Sequence, residues 1–159
     1  MPELHLLRTD HAPALLAFER ENRAYFAASI PDRGEEYFTR FEERLHALLA
    51  EQAAGVGFFH VVTGADGELL GRVNLTEVAD GGADLGYRIA ERAAGRGLAT
   101  WAVQELCTRA AEQYGLSVLR AATTLDNAAS QAVLARTGFV VVGSTRLSGR
   151  PGLTYRRGL

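Results

Sequence analysis

Asp84-Leu85-Gly86-Tyr87-Arg88-Ile89-Ala90-Glu91-Arg92-Ala93-Ala94-Gly95-Arg96-Gly97-Leu98-Ala99-Thr100 is the stretch on which the fold turns. Its first six residues alternate like a strand that ends near Ile89, and its last four open a helix. Between them, Gly95 and Gly97 let backbone N–H groups converge on one point without side chains in the way. The N-terminus of the following helix adds its partial positive charge, so an anion is favoured there. Arg92 and Arg96 add full charges and forked donors suited to phosphate. Together these features predict a di- or polyphosphate ligand. A plain strand-to-helix turn with solvated arginines is the simpler use of the same residues. A dinucleotide fingerprint fits worse, because Thr100 stands where its third glycine belongs and Asp126 lies too far along for the ribose contact. No Gly-Lys-Ser/Thr of a Walker loop occurs anywhere.

Upstream, Leu4 to Leu7 suits a first strand. Asp10 is placed to cap a helix carrying Leu15, Leu16, Phe18 and Ala24. Pro31 and Gly34 interrupt it, and a longer helix is predicted from Glu35, with Phe38, Phe41, Leu45, Leu48 and Leu49 on one face. After Gly55-Val56-Gly57 the period changes to that of strands. Phe58–Thr63, Glu68–Leu75 and Asp84–Ile89 form an antiparallel meander, turning at Gly64-Ala65-Asp66-Gly67 and Asp80-Gly81-Gly82. Downstream come a helix (about Gly97 to Tyr114), a strand (Val118 to Thr124), a helix (Asn127 to Thr137), a strand (Phe139 to Gly143) and a final strand around Leu153 to Arg156. This order predicts an α/β domain over residues 1–159 whose mixed sheet is antiparallel in its first half, with a parallel crossover in the middle.

Three motifs in this order resemble a known family. Arg92-x-x-Gly95-x-Gly97-Leu98-Ala99 is similar to the phosphate signature of GNAT acetyltransferases. Asn127-x-x-Ser130-x-x-Val133-Leu134-x-Arg136-x-Gly138-Phe139 resembles their second signature, and Asp84–Ile89 resembles the strand along which pantetheine lies. The pattern is closest to the RimJ/RimL-like branch, which acetylates ribosomal-protein N-termini, and Glu21-Asn22-Arg23 with Pro31-Asp32-Arg33 fits that branch. The resemblance covers the whole chain. It implies the acyl-CoA N-acyltransferase fold, a mixed, mostly antiparallel sheet flanked by helices whose two central parallel strands splay apart. It implies acetyl-CoA as co-substrate, with Tyr87, Arg88 and Ile89 pairing with pantetheine. Arg92, Gly95, Arg96, Gly97, Leu98, Ala99 and Thr100 would then cradle the pyrophosphate, with Asn127 and Ser130 reaching the cofactor from the next helix. Asn127 would cap that helix in any case.

Acetyl transfer to an amine requires a neutral amine, a stabilised carbonyl oxygen and a protonated leaving thiolate. The family's usual acid, a tyrosine four residues before the Gly-Phe glycine, is replaced by Leu134. Ser130 is then the candidate acid, unless it only bonds backbone at the helix start. Glu77 and Asp84 are candidates for a base or for binding the substrate ammonium. The expected acceptor is a protein or peptide N-terminal amine. A small amine (polyamine, amino acid or antibiotic) and a non-catalytic acyl-CoA-binding module are the alternatives. Acceptor choice is expected to reside in residues 10 to 54 and in a loop between Ser144 and Gly152.

Composition sets the outer bounds. The chain has 159 residues, 23% of them charged, and a formal net charge of −2, so no global field draws it to nucleic acid or an anionic membrane. Its one cysteine, Cys107, sits among Val103, Ala110 and Ala111 at helical spacing and reads as a buried, inert thiol. Histidines 5, 11, 46 and 60 lack ligand spacing, so no metal is expected. The N-terminus carries no basic-then-apolar signal, and no apolar run approaches membrane-spanning length. A cytoplasmic monomer or homodimer is the expectation.

Overall fold

In the computed structural model, which describes residues 1–159, seven strands make one sheet in the order β1-β2-β3-β4-β5-β7-β6. Strand β1 (Glu3–Leu6) leads into α1 (Ala12–Glu21), α2 (Arg23–Ala27), α3 (Glu35–Thr39) and α4 (Phe41–Ala53). The meander β2 (Phe58–Thr63), β3 (Leu69–Ala79) and β4 (Gly82–Ile89) follows. Then come α5 (Leu98–Glu112), β5 (Val118–Thr124), α6 (Ala128–Arg136) and the hairpin β6 (Val140–Leu147) and β7 (Arg150–Gly158). Every neighbouring pair is antiparallel except β4 with β5, the one crossover through a helix. The predicted fold class is the observed one.

Alternation along the strands divides the apolar side chains between two cores. On one face Val62, Val73, Leu75, Leu85 and Leu119 pack against Ala102, Val103 and Leu106 of α5 and Leu134 of α6. On the other, Phe59, Val61 and Leu69 pack against Leu15 and Phe18 of α1, Phe26 of α2, and Phe38, Phe41 and Leu45. Cys107 is buried in the first core, and burial pushes its thiol upward. It is inert packing, as read from its neighbours.

Several boundaries differ from expectation. Asp10 does not cap α1; its carboxylate binds Arg8 (Nε–Oδ1 3.0 Å), and α1 starts at Ala12 with Pro13 in its first turn. The first helix breaks at Asn22, whose Nδ2 donates to the Phe18 carbonyl (2.9 Å) and whose Oδ1 accepts from the Glu91 N–H (3.0 Å). That side chain shares the Phe18 carbonyl with the Asn22 N–H and pins α1 to the start of the phosphate loop. The second helix breaks at Arg40 (φ −109°, ψ 26°) into α3 and α4. Strand β3 runs past Leu75 to Ala79 through a bulge that holds Glu77 at φ 52°. The region from Ser144 to Gly152 is largely strand rather than loop, because Ser148 and Gly149 (φ 52° and 80°) make a tight two-residue turn that extends β6 and β7.

Candidate active site

Strands β4 and β5 pair only at Gly82–Val118, Ala83–Leu119 and Asp84–Arg120. Beyond this point β4 stays bonded to β3, and β5 to β7, but the two no longer bond to each other. The gap between Leu85–Ile89 and Ala121–Thr124 is the mouth of a cleft of about 900 Å³. One edge of β4 is thereby left without a strand, and its N–H and C=O groups can pair with an extended ligand as a strand would. The cleft passes through the sheet. Thr100, Asn127 and Ser130 line it on the α5/α6 face, and Tyr25, Phe26, Ile30 and Arg33 on the α1/α2 face.

At one end lies the glycine loop. Gly95 and Gly97 adopt φ of 75° and 78°, the left-handed region that side chains disfavour, and a Cβ on either would meet nothing within 4 Å. Nearby amides are already spoken for: Ala94 donates to the Glu91 carbonyl, and Trp101 to that of Gly97. The six N–H groups from Gly95 to Thr100 donate to no protein acceptor and open the 15-residue helix α5. Successive free N–H groups at a helix start form a concave anion site, and six match a pyrophosphate better than one phosphate. Arg92 and Arg96 stand outside the cleft lining. Their guanidinium groups fold back onto the Leu69 and Arg92 carbonyls (3.4 and 2.5 Å), so they flank the loop rather than fill it.

Across the gap, Asn127 caps α6 by accepting the Ser130 N–H (3.1 Å), which leaves its amide nitrogen for a ligand. Ser130 lines the cleft, and its Oγ accepts from the Tyr87 hydroxyl of β4 (3.3 Å). Burial holds the Tyr87 phenol above its ordinary value, so it stays protonated. Tyr87 was expected for its backbone alone. Its side chain brings a phenol to the Ser130 hydroxyl. Leu85, Tyr87 and Ile89 alternate inward, so the signal was present, but the partner lay 43 residues away.

Glu77 and Asp84 are not brought to the cleft. Glu77 is exposed on the β3 bulge, beyond the Thr76–Asp84 pair, at the far end of β4 from the phosphate loop. Asp84 sits where β4 and β5 are still bonded and binds Arg120 (Oδ1–Nε 2.8 Å). No carboxylate, lysine or histidine lines the cleft; its charged side chains are Arg33, Arg88, Arg136 and Arg150. The four histidines lie elsewhere, and His60 is buried between the Val73 carbonyl and the Tyr114 hydroxyl.

One cluster was missed from sequence. Glu19, only 1% exposed, binds Arg72 (2.7 Å), Arg33 (3.0 Å) and Arg88 (3.2 Å) beneath the α1/α2 wall of the cleft. Arg72 and Arg88 are direct cross-strand neighbours, a repulsive arrangement that Glu19 relieves from α1. An arginine inside the apolar run Gly71-Arg72-Val73 called for such a partner.

These features match a shared ancestry. Residues 3–140 match the model of the acetyltransferase (GNAT) domain, and the chain belongs to that family. No curated protein sequence matches it. Its structure is similar to that of a ribosomal-protein-S5-alanine acetyltransferase from Vibrio fischeri (TM-score 0.92, 21% identity, covering 99% of this chain and 92% of that one). It is similar to RimL, a ribosomal L7/L12 alpha-N-protein acetyltransferase in complex with coenzyme A (TM-score 0.87, 21% identity, 99% and 94%). A spermidine N-acetyltransferase SpeG chimera from Vibrio cholerae and hSSAT superposes with a TM-score of 0.79 (17% identity, 99% and 95%). The chain is an acetyl-CoA-dependent N-acetyltransferase.

Proposed function

We propose that the enzyme transfers acetyl to the N-terminal α-amine of a protein or peptide, directly and within a ternary complex. The observation that carries this reading is the cleft through the sheet. Cofactor-side groups lie on the α5/α6 face, and the opposite face offers a broad mouth between α2 and the β6–β7 hairpin that can admit a chain end. The open edge of β4 receives pantetheine, the N–H groups from Gly95 to Thr100 hold the pyrophosphate, and Asn127 donates to the arm. Acetyl-CoA supplies an already activated acyl group, so no covalent enzyme intermediate is needed. The departing sulfur takes the Ser130 hydroxyl proton, Ser130 takes one in turn from the Tyr87 hydroxyl that donates to it, and solvent reprotonates the phenol. With no base in the cleft lining, the amine loses its proton to water.

Likeness in fold to two ribosomal-protein acetyltransferases supports a protein acceptor. A polyamine is disfavoured although SpeG shares the fold, because no carboxylate in the cleft would receive its ammonium groups. The test is an assay of thiol release with N-terminally free peptides, small amino acids and spermidine, followed by mass spectrometry to place the acetyl group. Peptides modified at the α-amine are expected, with kcat/KM rising with pH through about 8 as that amine is freed. Turnover of spermidine alone would overturn the reading.

A further inference from the structure

The cluster around Glu19 contains more charge than its own stability calls for. Three guanidinium groups meet one buried carboxylate, and none of them pairs with a second one; Asp32 and Glu35 bind Arg23 instead (both 2.9 Å). Two positive charges are therefore left over in a poorly solvated place, where like charges repel strongly. Two of the three arginines, Arg33 and Arg88, also line the cleft, and their side chains keep 24% and 18% exposure. Both are held rigidly: Arg33 lies over the Tyr37 ring (4.5 Å) and Arg88 over the Phe26 ring (4.9 Å). Burial, with repulsion from Arg33 and Arg72 exceeding attraction to Glu19, lowers Arg88 to about 10. A fixed, under-neutralised arginine pair beside a ligand cleft is the arrangement that binds an anion.

We propose that the acceptor amine carries a carboxylate close to its reacting nitrogen and that Arg88 and Arg33 recognise it. The proposal rests on the peptide-acceptor reading above and narrows it to chains with an acidic residue at the second or third position. Arg88 follows Tyr87 directly, so the two side chains leave β4 on opposite faces from Cα atoms about 3.8 Å apart. A chain end that enters from the α1/α2 face to reach the cofactor beside Ser130 therefore passes Arg33 and Arg88 on its way. The remaining lining charges do not duplicate this site: Arg150 is paired with Asp126, and Arg136 lies on α6, across the gap from β4. Free amino acids carry the same chemistry in their own carboxylate, and the experiment separates the two sources.

Wild-type enzyme is assayed by thiol release with three hexapeptides differing only at the second residue, Asp, Asn or Lys, and with glycine beside glycinamide. The Asp peptide should exceed the Asn peptide in kcat/KM by about tenfold, as a charged contact to arginine would give, and the Lys peptide should be slowest. Arg33→Gln should narrow the Asp/Asn ratio to about threefold or less, whereas a purely structural role would slow all peptides equally. If that variant fails to fold, the wild-type ratios still decide. Equal rates for Asp and Asn, or a preference for Lys, would overturn the anionic acceptor while leaving peptide acetylation standing. Turnover of glycine over glycinamide, with no peptide modified, would sink the peptide reading and keep the carboxylate. Activity on neither class would overturn both.

Discussion

Ser130 illustrates how little of a site a single residue discloses. From sequence its hydroxyl was equally explicable as an acid or as a bond to backbone at the helix start; in the structure it bonds the Tyr87 hydroxyl, not backbone. The cap is made by its backbone N–H, so the side chain is free to bond Tyr87. Ser130→Ala should therefore lower kcat by roughly 10- to 1000-fold, a general acid's contribution or just below it. Thermal stability should barely move, because the backbone cap survives. Tyr87→Phe should also slow turnover, and the double variant should be no slower than Ser130→Ala alone, as residues acting as a unit behave. Steady-state kinetics beside thermal melts reads all three; a fully active Ser130→Ala enzyme would remove the hydroxyl from the chemistry. The glycine loop was legible because its left-handed turns and helix start are local backbone features. The role expected of Glu77 and Asp84 was not, because their distance from the cleft depends on where β4 and β5 part, which no local pattern records.

Strand periodicity made β2 to β5 readable, and the Ser148-Gly149 turn could have been read as a tight hairpin had it been weighed with the flanking strands. The α1–α4 face was harder, since its breaks fall at Asn22 and Arg40, neither a helix-breaking residue, and Asn22 is held by Glu91 far along the chain. That face is fastened through Glu19, which joins α1 to β3, β4 and the segment after α2. Glu19→Gln would leave three guanidinium groups against a neutral amide. Removing one partner of a buried ion pair costs about 3–5 kcal/mol, which lowers Tm by roughly 6–20 °C in a domain of this size. Scanning calorimetry measures it, and an unchanged Tm would mean that the arginines are neutralised from elsewhere.

Across the molecule, acid stability follows from two buried groups. The His60 ring is held neutral, with burial and then Arg109 lowering it from 6.5 to about 4. The unfolded chain takes up that proton near 6.5, so stability is full above this pH and declines by about 3 kcal/mol as pH falls to 4. Burial raises the Glu19 carboxyl, but Arg72 and Arg33 outweigh it and hold the group below its ordinary 4.5. Its contribution is present above 4.5 and is lost as pH falls through the lower folded value. Melts from pH 8 to 5 should show Tm falling below 6.5, and His60→Gln should flatten that fall; a flat wild-type profile would contradict the assignment. The central claim, that the splay between β4 and β5 with the N-terminus of α5 is the acetyl-CoA site, is open to a more direct measurement. Amide hydrogen exchange followed residue by residue should find the N–H groups from Gly95 to Thr100 exchanging fast in the free protein, since none has a protein acceptor. Saturating CoA should slow them by at least about tenfold, together with the open edge of β4 from Leu85 to Ile89, as ligand hydrogen bonds close over them. Exchange at these amides that is unaltered by CoA would contradict the account.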